Sequence, residues 1–512
     1  MLEPLPADQF TREHAAHLLN RAGFGAPPAE VDRYFALGLS AAVATLVQYE
    51  RVPDTYPDPA WSVLDPQEAA RIEAIRFLPD DQKRAAQEEI RKAYRKEDLE
   101  LIVWWLERMR TTPRPLQEKM TLFWHSLFAT SVVKVKNPLL MWQQNQTFRS
   151  LATGNWPDLL VAMGTDPAML VWLDGRVNKK DHPNENFARE VMELFTLGEG
   201  NYTEQDIKQS ARAFAGWHAN PVTAEFNPGR PSEHDMGIKT YLGQTGPFSG
   251  EDILRILGNA PRSAQYVCER LWRYFGSEEP NPQLTGAMAA RFQNAGLNFK
   301  PLLTALFLSR DFYAPEVVRQ QVKGPIQWLV GSCRVLERPL PPPLLSYQML
   351  RLLGQVPFDP PSVKGWDTGV SWISTNTLLD RYNFSALLVE GQFAGLGLGG
   401  GPQTFTPKPK DNPGQGPTPV QDPAMMQTRT PAVPPRPFLN LQGIAIDRLF
   451  TPQELADNDS LLDALQKRLI EGPLSETRRN SLRAYLQNEQ PGPDRIKGAI
   501  RLLMSTPDYQ LT

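Results

Sequence analysis

Cysteine is almost missing from this chain of 512 residues: Cys268 and Cys333 are the only two. They lie far apart and without a Cys-x-x-Cys spacing, which excludes a disulfide framework and a thiolate zinc centre and leaves one bridge between them open. Histidine is scarce too, at six residues. No apolar run reaches the roughly 20 residues that a membrane-spanning helix needs. Blocks of like charge are also absent: 54 basic residues stand against 57 acidic ones, a net charge of −3, so there is no nucleic-acid footprint. The opening MLEPLPADQF lacks the basic-then-apolar pattern of an export signal. As written the chain is expected in the cytoplasm, and in the periplasm or outside the cell if a leader has been removed from it.

Helix punctuation is what the sequence has in quantity. Thr11 to Asn20 reads as a helix ended by Gly23, Gly25 and Pro27, and a second follows near Glu30 to Gln48. The charged stretch from Gln67 to Arg110 reads as two helices broken near Pro79, since proline removes a helical hydrogen bond and clashes with the preceding turn. Leu116, Met120, Phe123 and Leu127 form one apolar stripe of a helix over 116–129, with His125 off the stripe. Helix starts are spelled by Asp166-Pro167, by Thr203 with Asp206, by Ser249 with Asp252 and by Thr451 with Glu454. Residues 222–246 break this rhythm and read as a small β-hairpin or extended insertion.

The expected fold is therefore mainly α, a large multi-helical assembly. A helical core domain is expected over 1–390, and a Pro/Gly-rich linker or mobile loop over 391–438, where too little apolar surface exists to order the chain. A C-terminal helical segment over 439–512 is expected to pack on the core.

Familiar catalytic signatures are missing: there is no HExxH, no GxSxG and no Walker A spacing. Gly395, Gly397 and Gly400 spell GxGxxG, but they open the Pro-rich stretch and not a strand-to-helix turn. The concentration of chemistry lies in HPNENFAREVMELFTLGEGNYTEQDIKQSARAFAGWH, residues 182–218. On a helix, Glu190 and Glu193 are neighbours, as are Asn186 with Glu190 and Glu185 with Arg189. Carboxylates so close draw their proton affinities apart, which general acid and base catalysis needs.

The enzymatic reading makes Glu190 the general acid or base and Glu185 its partner, with His182 and His125 binding substrate or shuttling protons. Asn184, Asn186, His234, Asp235, Trp217 and Trp366 would bind substrate, and the reaction would be hydrolysis or elimination on a glycan or other polymer. Trp217 and Trp366 each follow a glycine at a turn, where an indole either faces a sugar ring or seals a helix end. The rival reading is a non-catalytic scaffold or binding partner, with Arg189 laddered between Glu185 and Glu193 and Asp206 acting as a helix cap. A divalent cation such as calcium, bound by oxygens of Asn184, Glu185 and Asp206, is a third and less favoured reading, and no metal ligand is assigned. Helix physics accounts for most of the segment but not for Asn184 and Asn186, which have no Glu or Gln three residues on.

DPAMLVWLDG (166–175), HPNENFAREVMELFTLGEGNYTEQDI (182–207), ARAFAGW (211–217), HDMGIKTYLGQTG (234–246) and LGQVPFDPPSVKGWD (353–367) resemble a bacterial family catalogued as domain of unknown function 1800. LLNRAGFG near the N-terminus and FWHSLFATS (123–131) extend the resemblance over nearly the whole chain. It implies a mainly helical fold and, as a partner, a protein similar to sulfatases or phosphatases, since family members often accompany such proteins. Many of those members carry export signals, which this chain lacks. The family brings no established reaction, so no catalytic residue is carried over from it.

Overall fold

The computed structural model describes residues 1–393, 439–470 and 472–512. The Pro/Gly-rich stretch and its GxGxxG lie outside the described residues from 394 to 438.

Thr11 caps α1 (Arg12–Arg21) through a box with His14. The single helix expected over 30–48 is two, α2 (Pro28–Leu37) and α3 (Leu39–Val47), parted at Gly38. Its φ of 73° lies in the left-handed region that glycine tolerates, and the chain turns there. The charged stretch divides as expected into α4 (Pro66–Ala74) and α5 (Asp80–Thr111), with Pro79 at the start of α5. Next come α6 (Pro115–Leu127), α7 (Val132–Val135), α8 (Pro138–Ser150), α9 (Trp156–Gly164) and α10 (Pro167–Trp172). α11 (Glu185–Glu190) runs directly into a π-helical turn at Val191–Thr196, and α12 (Glu204–Ala213) follows.

The second half holds α13 (Gly250–Asn259), α14 (Pro261–Phe275), α15 (Pro282–Asn294), α16 (Phe299–Leu308), α17 (Pro325–Val335), α18 (Pro343–Leu353) and α19 (Thr375–Glu390). After residue 438 come α20 (Ile446–Leu449), α21 (Asn458–Leu469), α22 (Glu476–Asn488), α23 (Pro493–Met504) and α24 (Pro507–Gln510). Many of these helices open on proline, as at Pro115, Pro138, Pro167, Pro261 and Pro325. A first-turn N–H has no helical partner to lose, so a sequence with 48 prolines can still be helical. Thr451 and Glu454 do exchange the hydrogen bonds of a capping box. They close only a turn, and α21 starts later, capped by Asp457.

The expected insertion near 222–246 is two hairpins. β1 (His218–Asn220) pairs antiparallel with β2 (Glu225–Asn227), and β3 (Lys239–Tyr241) with β4 (Gln244–Gly246). The second is closed by Leu242 and Gly243, both at positive φ, the two-residue turn that matches strand twist. A short ladder joins β5 (Gln392–Phe393) to β6 (Leu439–Asn440).

Two apolar cores share α6, and α8 and α10 also give residues to both. α1, α3, α9, α14 and α16 build the first around Trp124, Trp156 and Phe299. α5, α17, α18 and α19 build the second with α21 and α23 of the C-terminal segment. α6 gives Met120, Phe123 and Trp124 to the first and Leu122 to the second. It is therefore buried almost all round, polar residues included. Among the described residues no helix is long and apolar enough to cross a membrane. Cys268 and Cys333 are both buried and unpaired.

Candidate functional site

The start of the polar segment is a piece of stitching. Asn184 Oδ1 accepts the Asn186 N–H at 3.0 Å and so caps α11, while its Nδ2 donates to the Asp174 carbonyl at 3.1 Å. Asn186 Nδ2 donates to the Leu173 carbonyl at 3.1 Å, and Asn178 Oδ1 accepts the Asn184 N–H at 2.9 Å. Both asparagines thus fasten α11 to the turn after α10. Asp206 pairs with Thr203 as a capping box, and its other oxygen accepts the Leu242 N–H at 2.9 Å. Arg189 pairs with Glu185 at 3.6 Å and with Glu204 at 2.9 Å, not with Glu193. The π turn holds more residues per turn than an α-helix, which carries Glu193 off the Arg189 face. Glu193 instead accepts the Tyr202 hydroxyl at 2.6 Å. Burial and then the charge of Glu193 raise the pKa of Glu190, against the opposing charges of Lys364 and Arg189.

The histidines lie in separate surroundings. His125 is fully buried, its Nε2 accepting the Phe358 N–H at 2.9 Å and its ring 5.3 Å from that of Trp366. Burial lowers its pKa to about 3, so the ring is neutral with its proton on Nδ1. His182 is exposed on the loop before α11. His234 Nδ1 donates to the Ala215 carbonyl at 2.9 Å, and the Asp235 carboxylate is forked by Arg212 at 2.7 and 3.1 Å. Trp217 is only 6% exposed and meets Phe226 edge-on at 5.4 Å, sealing the end of α12. Trp366 alone among the sequence-derived candidates lines the main cleft; Glu185, Glu190, His125, His182 and His234 do not.

That cleft, of about 380 Å³, opens beside α6 where the two cores meet. Its walls are α6, α14, the start of α17 and the loop over 364–372. Basic side chains outnumber acidic ones: Lys119, Arg270, Arg273 and Lys364 face Glu278 and Asp367. Arg270, Arg273 and Lys364 form no ion pair with a described carboxylate. α14 is braced from behind by the π turn, where Tyr266 donates to the Leu194 carbonyl at 2.7 Å and Arg262 to the Leu197 carbonyl at 2.9 Å. The polar segment therefore supports the cleft from outside it.

Lys119 is the unusual member, a lysine only 4% exposed. Its Nζ donates to Gln327 Oε1 at 2.9 Å and lies 5.1 and 5.5 Å from the ring centroids of Phe24 and Tyr274. Two ring faces stabilise an ammonium by ~0.5–2 kcal/mol each, while burying the ion costs several kcal/mol. Burial wins, and the charge of Arg21 adds to it, so the Lys119 pKa falls well below its ordinary 10.5. Glu278 moves the other way: burial raises its pKa against the charges of Arg21 and Arg273. Its Oε1 is buried with no partner among the described residues. An amine whose proton affinity is lowered and a carboxyl whose proton affinity is raised are a candidate base and acid facing one cavity.

Neither residue was singled out from sequence, where Glu118-Lys119 resembles an ordinary surface pair. The available signal on α6 was apolar residues beyond its one stripe, Leu122 and Trp124 beside Leu116, Met120, Phe123 and Leu127, since a helix apolar on more than one face is buried on more than one. Glu118 was missed for the same reason. It is held at 2.6 Å by both Arg108 and Arg149 and at 2.9 Å by the Trp105 indole N–H. Burial alone would raise its pKa, but Arg149 and Arg108 outweigh that and hold it at about 2. It locks α5, α6 and α8 together and does not line the cleft. Among the described residues, no group of three or more His, Cys, Asp or Glu is arranged to hold a metal ion.

Fold and cleft define a mainly helical protein built around one buried central helix, with a cationic cavity beside it. The chain belongs to the family described as "Protein of unknown function (DUF1800)", whose pattern matches residues 17–511. No curated protein and no solved structure matches it.

Proposed function

We propose that this protein is a hydrolase or lyase acting on an anionic glycan or other charged polymer, with the cleft beside α6 as its substrate site. The observation that carries this reading is the company of groups around one open cavity. Arg270, Arg273 and Lys364 form no ion pair with a carboxylate among the described residues and suit a carboxylate, sulfate or phosphate on the substrate. Trp366 offers an aromatic surface at the wall, and Glu278 and Lys119 supply the acid and the base. Glu185 and Glu190 fall to a supporting role, because the π turn that continues their helix braces α14. The test is a panel of neutral, carboxylated, sulfated and phosphorylated polymers assayed for new chain ends and for the unsaturated product of elimination. Cleavage confined to anionic polymers and lost in Glu278→Gln is expected. Full turnover in Glu278→Gln would overturn the assignment.

The scaffold reading is favoured by one observation, the Asn178, Asn184 and Asn186 network, which orients helices without facing the cleft. In that case the protein would bind a sulfatase- or phosphatase-like partner. It would cleave nothing in the panel, and the cleft variants would leave binding of that partner unchanged.

A further inference from the structure

We infer that Lys119 is a nucleophilic amine that forms an imine with the carbonyl carbon of an anionic aldehyde or ketone held in the cleft. The inference rests on the substrate cleft proposed above but not on a polymer as its occupant.

Position is the first argument. Lys119 comes from α6, the most enclosed helix of the fold, yet it lines the open cavity. A lysine serving only to fill space would turn its ammonium towards water or a carboxylate. Here the stem is buried and Nζ is held by a single amide oxygen, that of Gln327, with aromatic rings on two sides. Among the described residues no carboxylate pairs with it, and the neighbouring charge is the guanidinium of Arg21. Arg21 is itself anchored by the carbonyls of Phe275 and Gly276 and by Gln321, so it does not swing away. Desolvation and a second cation both disfavour the ammonium, and the uncharged form has the lone pair that attacks.

The second argument is what surrounds the amine. Arg270, Arg273 and Lys364 line the same cavity, form no ion pair among the described residues, and would hold the anionic end of a small carbonyl compound. Glu278, leaning on Gly369, supplies the proton that dehydration needs. The Nζ lone pair adds to the carbonyl carbon and the carbonyl oxygen takes a proton, giving a carbinolamine. That proton is the first one the nitrogen loses; Glu278 then protonates the hydroxyl, the carbon–oxygen bond breaks, water leaves, and the iminium nitrogen returns its remaining proton to the Glu278 carboxylate. Amine plus carbonyl becomes imine plus water, with no change of oxidation state.

The test uses pyridoxal 5'-phosphate as an anionic aldehyde probe on the whole folded protein near neutral pH, trapped with cyanoborohydride and located by peptide mass mapping. Lys119 is expected to be the first lysine labelled, in a saturable manner, with inorganic phosphate competing. Arg270→Gln with Arg273→Gln should raise the half-saturating concentration on the order of tenfold through loss of charge-assisted contacts. The wild-type labelling pattern decides the matter even if Lys119→Arg does not fold. Label on exposed lysines with Lys119 unmodified overturns the inference. So does labelling of Lys119 that rises only near the ordinary lysine value of 10.5. Labelled Lys119 with no cleavage in the polymer panel leaves this inference standing and removes the polymer reading; cleavage with Lys119 unlabelled does the reverse.

Discussion

His125 Nε2 accepts the Phe358 backbone N–H at 2.9 Å, and this one bond ties α6 to the chain that leads into the cleft loop with Lys364 and Trp366. Removing the acceptor leaves a buried N–H unpaired, which costs about 1–3 kcal/mol. His125→Leu is therefore expected to lower the melting temperature clearly and His125→Gln, which retains an acceptor, to lower it less. The titration has a definite sign. Burial lowers the folded pKa to about 3 from an ordinary 6.5. The unfolded chain thus binds a proton that the folded chain refuses, and stability falls as pH drops from 6.5 towards 3. Urea unfolding between pH 7 and pH 4 should show a shallower loss in His125→Gln. His17, whose pKa is likewise lowered by burial, retains part of the slope.

Glu118→Gln should be among the most damaging single changes. It leaves Arg108 and Arg149 facing a neutral amide in a buried site, and breaking such a pair costs about 3–5 kcal/mol. The wild-type carboxylate, held at about 2, contributes its stability above the ordinary 4.5 and loses it as pH falls through 2. Thermal melts at pH 7 of Glu118→Gln, alone and with Arg108→Gln, check this. A drop under a degree would contradict the buried lock.

The asparagines at the start of α11 act on stability and not on chemistry. Asn184→Ala removes a helix cap and should cost about 1 kcal/mol, with Asn186→Ala of similar size. Glu185→Gln and Glu190→Gln should change the melting temperature little, since both side chains are partly exposed. If Glu190→Gln abolished labelling of Lys119 without loss of stability, the supporting role given to that helix would be wrong.

Local chemistry was legible in the sequence and long-range chemistry was not. Thr203 with Asp206 and Ser249 with Asp252 cap their helices as their spacing implies, because a cap is settled within four residues. Asn184 looked odd for the converse reason: its partners include Asp174 and Asn178, which no helical period reaches. Glu193 was assigned to Arg189 on α-helical spacing, and the π turn between them changed the period. The cleft gathers α6, α14, α17 and a loop beyond residue 360. Only tertiary packing brings those segments together, so Trp366 was found as a residue type beside a glycine while Lys119 was not found at all.

Both thiols should be silent in the native protein. Burial raises the Cys268 pKa and moves that of Cys333 to about 12, and a protonated, enclosed thiol does not react. A thiol reagent such as Ellman's should titrate both only after denaturation, with no reductant needed. Fast native reaction of either would show that its core opens readily.

Gly369 tests the placement of Glu278 without replacing any ionisable group of the cleft. Its φ of +62° puts it in the left-handed region, and an added Cβ would stand 1.6 Å from Glu278 Oε2 and 2.2 Å from the carboxyl carbon. The backbone term costs about 1–2 kcal/mol for a residue with a Cβ. The clash falls on the end of a flexible side chain, so Glu278 must swing away while the fold persists. Gly369→Ala is thus expected to melt only a few degrees lower and to form the Lys119 imine more slowly, as Glu278→Gln does. The double variant should be no slower than either single one, because both remove the same proton donor. Additive slowing would place the donor elsewhere in the cleft.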